Sequence, residues 1–236
     1  MILQLGHKNL QCVRLQLYLR ATCHYKGLIH GEFTDETLDA CMAYQNSAGL
    51  VVDGLFGSKS WASIISKVGR NMCLLFIHCA ASPEGLNVPA KNVVAFHTLP
   101  KAKGGRGWDR CGYSDIIELD GSLHNTRSWD QDDKINAWEE TWGVKGSTLL
   151  NANARHVCYI GGLAADNRTV KDTRTTAQKE TLEAYIRFML LRYPDLVIAG
   201  HNQVQFKGCP SFDVPTYLFN IGVKEYNIAN WGKLYK

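Results

Sequence analysis

Cys73-Leu74-Leu75-Phe76-Ile77, ending on His78, is a short unbroken apolar run, and its reading decides the fold. Five apolar residues closed by a polar one are too few for a helix and suit a buried strand. Two runs of the same kind follow, Val157 to Ile160 and Leu196 to Ala199, the second ending at Gly200-His201. Between them the pattern turns helical. Asn87 and Pro89 open a helix that runs to about Thr98. Thr175-Thr176-Ala177-Gln178 reads as a capping box, before a helix that turns Leu182, Tyr185, Ile186, Met189 and Leu190 inward and stops at Pro194. Tyr113 to Leu119 is a further strand, and Asp120-Gly121 turns it back through Ser122 to Arg127 as a hairpin. Strands alternating with helices predict an α/β fold with a mixed central sheet flanked by helices.

Upstream of the first run the pattern differs. Residues 1–67 read as three short helices, a small domain ahead of the α/β domain at 72–236. Asn9 caps the first, with Leu10, Val13, Leu17 and Leu15 apolar. Thr34-Asp35-Glu36 opens the second with an N-cap and two acids, and it ends near Gly49. After the turn Asp53-Gly54-Leu55-Phe56-Gly57, Ser58 caps the third, through Trp61, Ile64 and Ile65. Ser66 to Asn71 is the linker.

The whole chain has 236 residues, 45% hydrophobic and 20% charged, enough to bury a core without covalent staples. Several of its eight cysteines lie inside apolar runs, as in Val157-Cys158-Tyr159-Ile160, so they are expected to be reduced. A net charge of +4 suits an anionic polymer without choosing one. No basic stripe with interleaved aromatics supports nucleic-acid binding. Met1 to Leu10 has no signal-peptide pattern, and no run approaches the ~18 apolar residues of a membrane span.

Three residues carry candidate chemistry. His78 and His201 directly follow buried strands, where α/β folds place functional side chains. Cys209 lies eight residues after His201, in Lys207-Gly208-Cys209-Pro210-Ser211. Two imidazoles and a thiolate suit Zn²⁺, and three protein ligands leave a fourth position for water. Spacing alone leaves a structural hydrogen-bonding role open for each.

The surroundings add a resemblance. Phe76-Ile77-His78-Cys79-Ala80-Ala81-Ser82 resembles the first metal motif of the type 2 N-acetylmuramoyl-L-alanine amidases, which include phage amidases and the animal peptidoglycan recognition proteins. The likeness continues through Phe96-His97, Gly107-Trp108, Cys111-Gly112-Tyr113 and the hairpin Ile116 to Gly121. It resumes at Val157 to Gly162 and ends with His201 and Lys207 to Asp213. The resemblance implies that His78, His201 and Cys209 bind Zn²⁺ and that Tyr113 and Lys207 assist catalysis. If the loop is extended, Lys207 and Cys209 share a face. The implied reaction is hydrolysis of the amide between N-acetylmuramic acid and L-alanine in bacterial peptidoglycan.

Residues 43–61, with Asp53-Gly54-Leu55-Phe56-Gly57 at their centre, are similar to the three-helix peptidoglycan-binding domain of wall hydrolases. Together the two likenesses imply a modular phage endolysin, a monomer held in the host cytoplasm until lysis, or else an exported bacterial enzyme. The rival functions are a non-catalytic recognition protein, which the retained Cys209 disfavours, and a zinc peptidase acting within the stem peptide. No His-Glu-x-x-His pattern supports the peptidase.

Two departures from the family pattern stand out. Ser114-Asp115 follows Tyr113 where His-Phe is usual, and a continuous strand would turn Asp115 toward the metal; a structural hydrogen-bonding role is the alternative. Gly143 stands about where many members carry a histidine, leaving Asn151 and Asn153 as candidate substrate contacts there. Trp108 and His97 are read either as groove lining or as core.

Overall fold

The computed structural model of the chain describes residues 2–66 and 70–230. Part of the expected linker, residues 67–69, and the tail from 231 lie outside the described residues. Helices α1 (Leu10–Ala21), α2 (Asp35–Ser47) and α3 (Ser58–Ser66) come first. Then follow β1 (Leu74–Cys79), β2 (Ser82–Pro83), α4 (Ala90–Thr98), β3 (Asp115–Ile117) and β4 (Leu123–Asn125). The chain continues through α5 (Thr148–Asn151), β5 (Ala154–Tyr159), β6 (Gly162–Leu163), α6 (Thr176–Arg192), β7 (Val197–Gly200) and α7 (Val214–Asn220).

The five-stranded sheet has the order β4-β3-β5-β1-β7, parallel except for the β3–β4 hairpin at its edge. The fold is therefore the expected mixed α/β arrangement. Local signals explain most ends. The Asn9 side chain accepts from the amides of Gln11 and Cys12, and Thr175 and Gln178 form both halves of the capping box. Thr34 departs from expectation. Its hydroxyl makes no cap bond to α2 and lies 3.4 Å from that of Thr37.

The two sheet faces bury different partners. Leu75, Ile77, Val157, Tyr159 and Ile198 pack with Leu182, Ile186 and Met189 of α6. On the other face Leu74, Phe76, Ala154, Val197 and Ala199 share one cluster with Val13, Leu15 and Leu17 of α1 and with Tyr44 and Phe56. Nearly every residue of α1 is buried, because α2 and α5 flank a helix already laid against the sheet. A fully buried Leu side chain contributes roughly 1.5–3 kcal/mol, so Leu15, Leu17 and Leu19 alone bind α1 firmly. No helix among the described residues is long and apolar enough to cross a membrane.

Candidate metal centre and cleft

The register of the parallel strands brings the two histidines together. Ile77 pairs with Gly200, so His78 and His201 are the next step along adjacent strands. Like residues in register on parallel neighbours point to the same face. Both rings emerge where β1 and β7 end, on the face that α1 covers. Their Nδ1 atoms are 3.1 Å apart, and Cys209 Sγ lies 3.8 Å from His78 Nδ1. The three candidate donor atoms all fall within 4.8 Å of one another, a group able to hold a metal ion.

The trio is held from behind. His201 Nε2 is 2.8 Å from Gln205 Oε1, and Gln205 Nε2 donates to the Lys145 carbonyl at 2.6 Å. The amide oxygen accepts, so the His201 proton sits on Nε2 and its Nδ1 lone pair is free. Cys209 Sγ receives the backbone N–H of Cys79 at 3.3 Å. Burial, with the neighbouring histidines and Lys207, holds His78 well below its ordinary value. Burial likewise lowers His201 to about 4. Both rings are neutral near pH 7, as ligands must be. All eight cysteines are free.

Beside the trio lies an open cleft of about 720 Å³, lined by His97, Trp108, Tyr113, Trp142, His201 and Lys207. The Tyr113 ring centroid is 5.1 Å from that of His78, and 5.2 Å from that of His97. His97 stacks on Trp108 at 4.7 Å. Both line the cleft, Trp108 half-buried and His97 buried, so the two readings left open by the sequence meet in the same pair. Lys207 is exposed, in a bend rather than an extended loop, so alternation is not what brings it beside Cys209. Lys101, Arg106 and Lys145 add positive charge to the rim, against one acid, Glu140.

Asp115 is not in this group. The strand begins at Asp115 itself, so alternation does not reach back to Tyr113. Asp115 pairs in register with Val157 and shares its face, opposite the candidate metal ligands. There its Oδ2 meets Arg155 Nη2 at 2.7 Å and accepts from the Tyr185 hydroxyl at 2.7 Å. Asn125 Nδ2 donates to the other oxygen at 3.0 Å. The structural alternative thus accounts for it. Asn151 lines the cleft, but its amide is spent on both backbone groups of Val144. Asn153 bridges the Asn71 amide and the Leu149 carbonyl and is fully buried, away from substrate reach.

One residue went unread in the sequence. His156 lies in β5, its Nδ1 3.0 Å from His78 Nε2. The polar run Asn153-Ala154-Arg155-His156 concealed the first half of that strand, which was expected to begin at Val157.

No family model matches the chain. It is similar to the endolysin of Escherichia phage T7, 29% identical over 141 residues that span 59% of this chain and 81% of that protein. The endolysin of Enterobacteria phage T3 matches to the same extent. Among solved structures, bumblebee PGRP-SA is similar at 19% identity and a TM-score of 0.48, over 69% of this chain and 84% of that one.

Proposed function

We propose that the chain is a zinc-dependent N-acetylmuramoyl-L-alanine amidase acting as a phage endolysin. The observation that carries this reading is the convergence of His78, His201 and Cys209 beside an open cationic cleft, in a chain similar to phage endolysins. The donor set fits zinc. Tetrahedral Zn²⁺ with bonds of about 2.0–2.1 Å to nitrogen and about 2.3 Å to sulfur needs N–N near 3.3 Å and N–S near 3.6 Å. The observed 3.1 and 3.8 Å lie close to both. Zinc held there would polarise the lactyl carbonyl and lower the pKa of a water molecule at the open position.

The remaining chemistry belongs to side chains. Tyr113 is half-buried in the cleft wall, and desolvation followed by the neighbouring thiols raises its hydroxyl well above the ordinary value, so it stays a donor. A hydroxyl in that state suits the oxyanion that forms as the carbonyl is attacked. Lys207 brings an ammonium group to the rim, beside His201. The rim cations suit a substrate bearing peptide carboxylates. Residues 1–67 are proposed as the peptidoglycan-binding unit. The enzyme would accumulate in the host cytoplasm and meet its substrate at lysis.

Digestion of purified peptidoglycan tests the reading. The expected products are stem peptides with free L-alanine amino termini, identified by mass spectrometry. New reducing sugar ends alone, or cuts within the stem, would overturn it.

A further inference from the structure

The centre contains a buried imidazole that the reaction described above does not use. His156 lies on the same sheet face as His78, two residues before Cys158, which pairs with His78 in register. Its ring is fully buried and stacks on Phe76, with centroids 5.4 Å apart. Ser114 Oγ accepts the backbone N–H of His156 at 3.0 Å and fixes the strand locally. Nδ1 faces His78 Nε2, while the other ring nitrogen has no hydrogen-bond partner. The space for the ring comes from Gly143 in the cleft wall, where any Cβ would run into the imidazole.

We propose that His156 is the positioning residue of the metal centre: it accepts the Nε2 proton of His78 and so holds His78 with Nδ1 turned toward His201 and Cys209. This inference rests on the metal reading of the trio. A neutral imidazole carries one proton. Once Nδ1 of His78 gives its lone pair to a metal, that proton is on Nε2. His156 Nδ1, at 3.0 Å, is the acceptor that receives it. His156 then carries its own proton on Nε2, the nitrogen facing no partner. A metal-bound imidazole ordinarily donates to a carboxylate, a carbonyl or water. His201 follows that rule through the Gln205 amide oxygen, whereas at His78 a second imidazole takes the acceptor's place. Gly143 and His156 are thereby a matched pair, one leaving the room that the other fills.

The test is zinc affinity of the full chain, measured by competition with a chromophoric chelator. His156→Leu removes the acceptor while filling the space, and is expected to weaken zinc binding about tenfold to a hundredfold. His156→Asn sets an amide oxygen about where Nδ1 stands and is expected to keep most of the affinity. Gly143→Ala leaves all three ligands and His156 in the sequence but displaces the ring, and is expected to weaken binding as leucine does. It also serves if His156→Leu does not fold. Cobalt substitution is expected to keep the thiolate charge-transfer band in every variant, showing that the ligands themselves are unchanged. A native chain that binds one zinc, with His156→Leu or Gly143→Ala binding it equally well, would overturn the proposal. A native chain that takes up no zinc would overturn the metal reading itself.

Discussion

Arg14 of α1 donates from Nε and Nη2 to the carbonyl of Val204, at 3.2 and 2.8 Å, and so ties the first helix to the turn that carries His201. Val204 follows the short 3-10 helix His201–Gln203 and precedes Gln205, which orients the His201 ring. The helix is thus tied directly to the turn that carries one of the candidate metal ligands. Hydrogen bonds to a charged donor contribute about 1.5–3 kcal/mol. Arg14→Met is expected to lower unfolding free energy by roughly that amount and to weaken zinc binding several-fold. Urea unfolding and chelator competition measure the two; an unchanged affinity would show that the tie is not needed by the site.

Removal of residues 1–69 is expected to leave an insoluble remainder. The deletion uncovers Leu74, Phe76, Val197 and Ala199, which α1 buries in a shared cluster. An exposed apolar sheet face of that kind promotes association. Size-exclusion chromatography and near-UV circular dichroism of a chain starting at Arg70 decide the matter. A monodisperse, folded product would mean that the N-terminal helices are a detachable attachment.

Asp115→Asn is expected to destabilise strongly without abolishing metal binding. The Arg155 guanidinium is almost wholly buried and loses its counter-charge. Breaking one side of a buried pair costs about 3–5 kcal/mol, which lowers the melting temperature by roughly 10 °C in a chain of this size. Calorimetry with and without zinc checks both parts. A loss of activity with unaltered melting would instead place Asp115 in catalysis.

Tyr113→Phe and Lys207→Ala are expected to lower kcat about a hundredfold to a thousandfold while zinc content stays near one per chain. Cys209→Ser is expected to lose metal and activity together. Kinetics on peptidoglycan paired with metal analysis separate these cases, and a Tyr113→Phe variant that turns over normally would remove the hydroxyl from the mechanism.

Stability is expected to fall as the pH drops from about 6.5 toward 4. Burial, then Arg106, lowers His97 from 6.5 to about 4, and its Nδ1 accepts the Gly112 N–H at 3.2 Å. Between those values the unfolded chain binds a proton that the folded chain does not, so the stabilisation is complete above 6.5 and is lost on acidification. His156 and His201 are lowered in the same direction, mainly by burial. His97→Gln is expected to flatten the slope of unfolding free energy against pH in this window, and an unaltered slope would show that His97 charges freely in the folded chain.

The order of the longer strands and helices was legible because it is written in local patterns, whereas the short elements β2, α5, β6 and α7 were not read. Apolar runs ending on His78 and Gly200-His201, the Asn9 cap and the Thr175–Gln178 box each act within a few residues. The three candidate ligands were legible because the family motifs surround them, and the structure brings them within reach of one another. What stayed hidden were relationships between distant segments. Alternation suggested that Asp115 faces the metal, but the strand begins at Asp115 and the carboxylate pairs with Arg155 on the opposite face.

By itself, then, the sequence determined most of the sheet-forming segments, and through the family motifs it pointed to His78, His201, Cys209, Tyr113 and Lys207 as candidates. Tertiary structure alone decided that α1 braces the turn after His201 and that His156 stands behind His78 in the space beside Gly143. Both depend on strand register and on the room between packed segments. Neither quantity exists until residues far apart in the chain have come together.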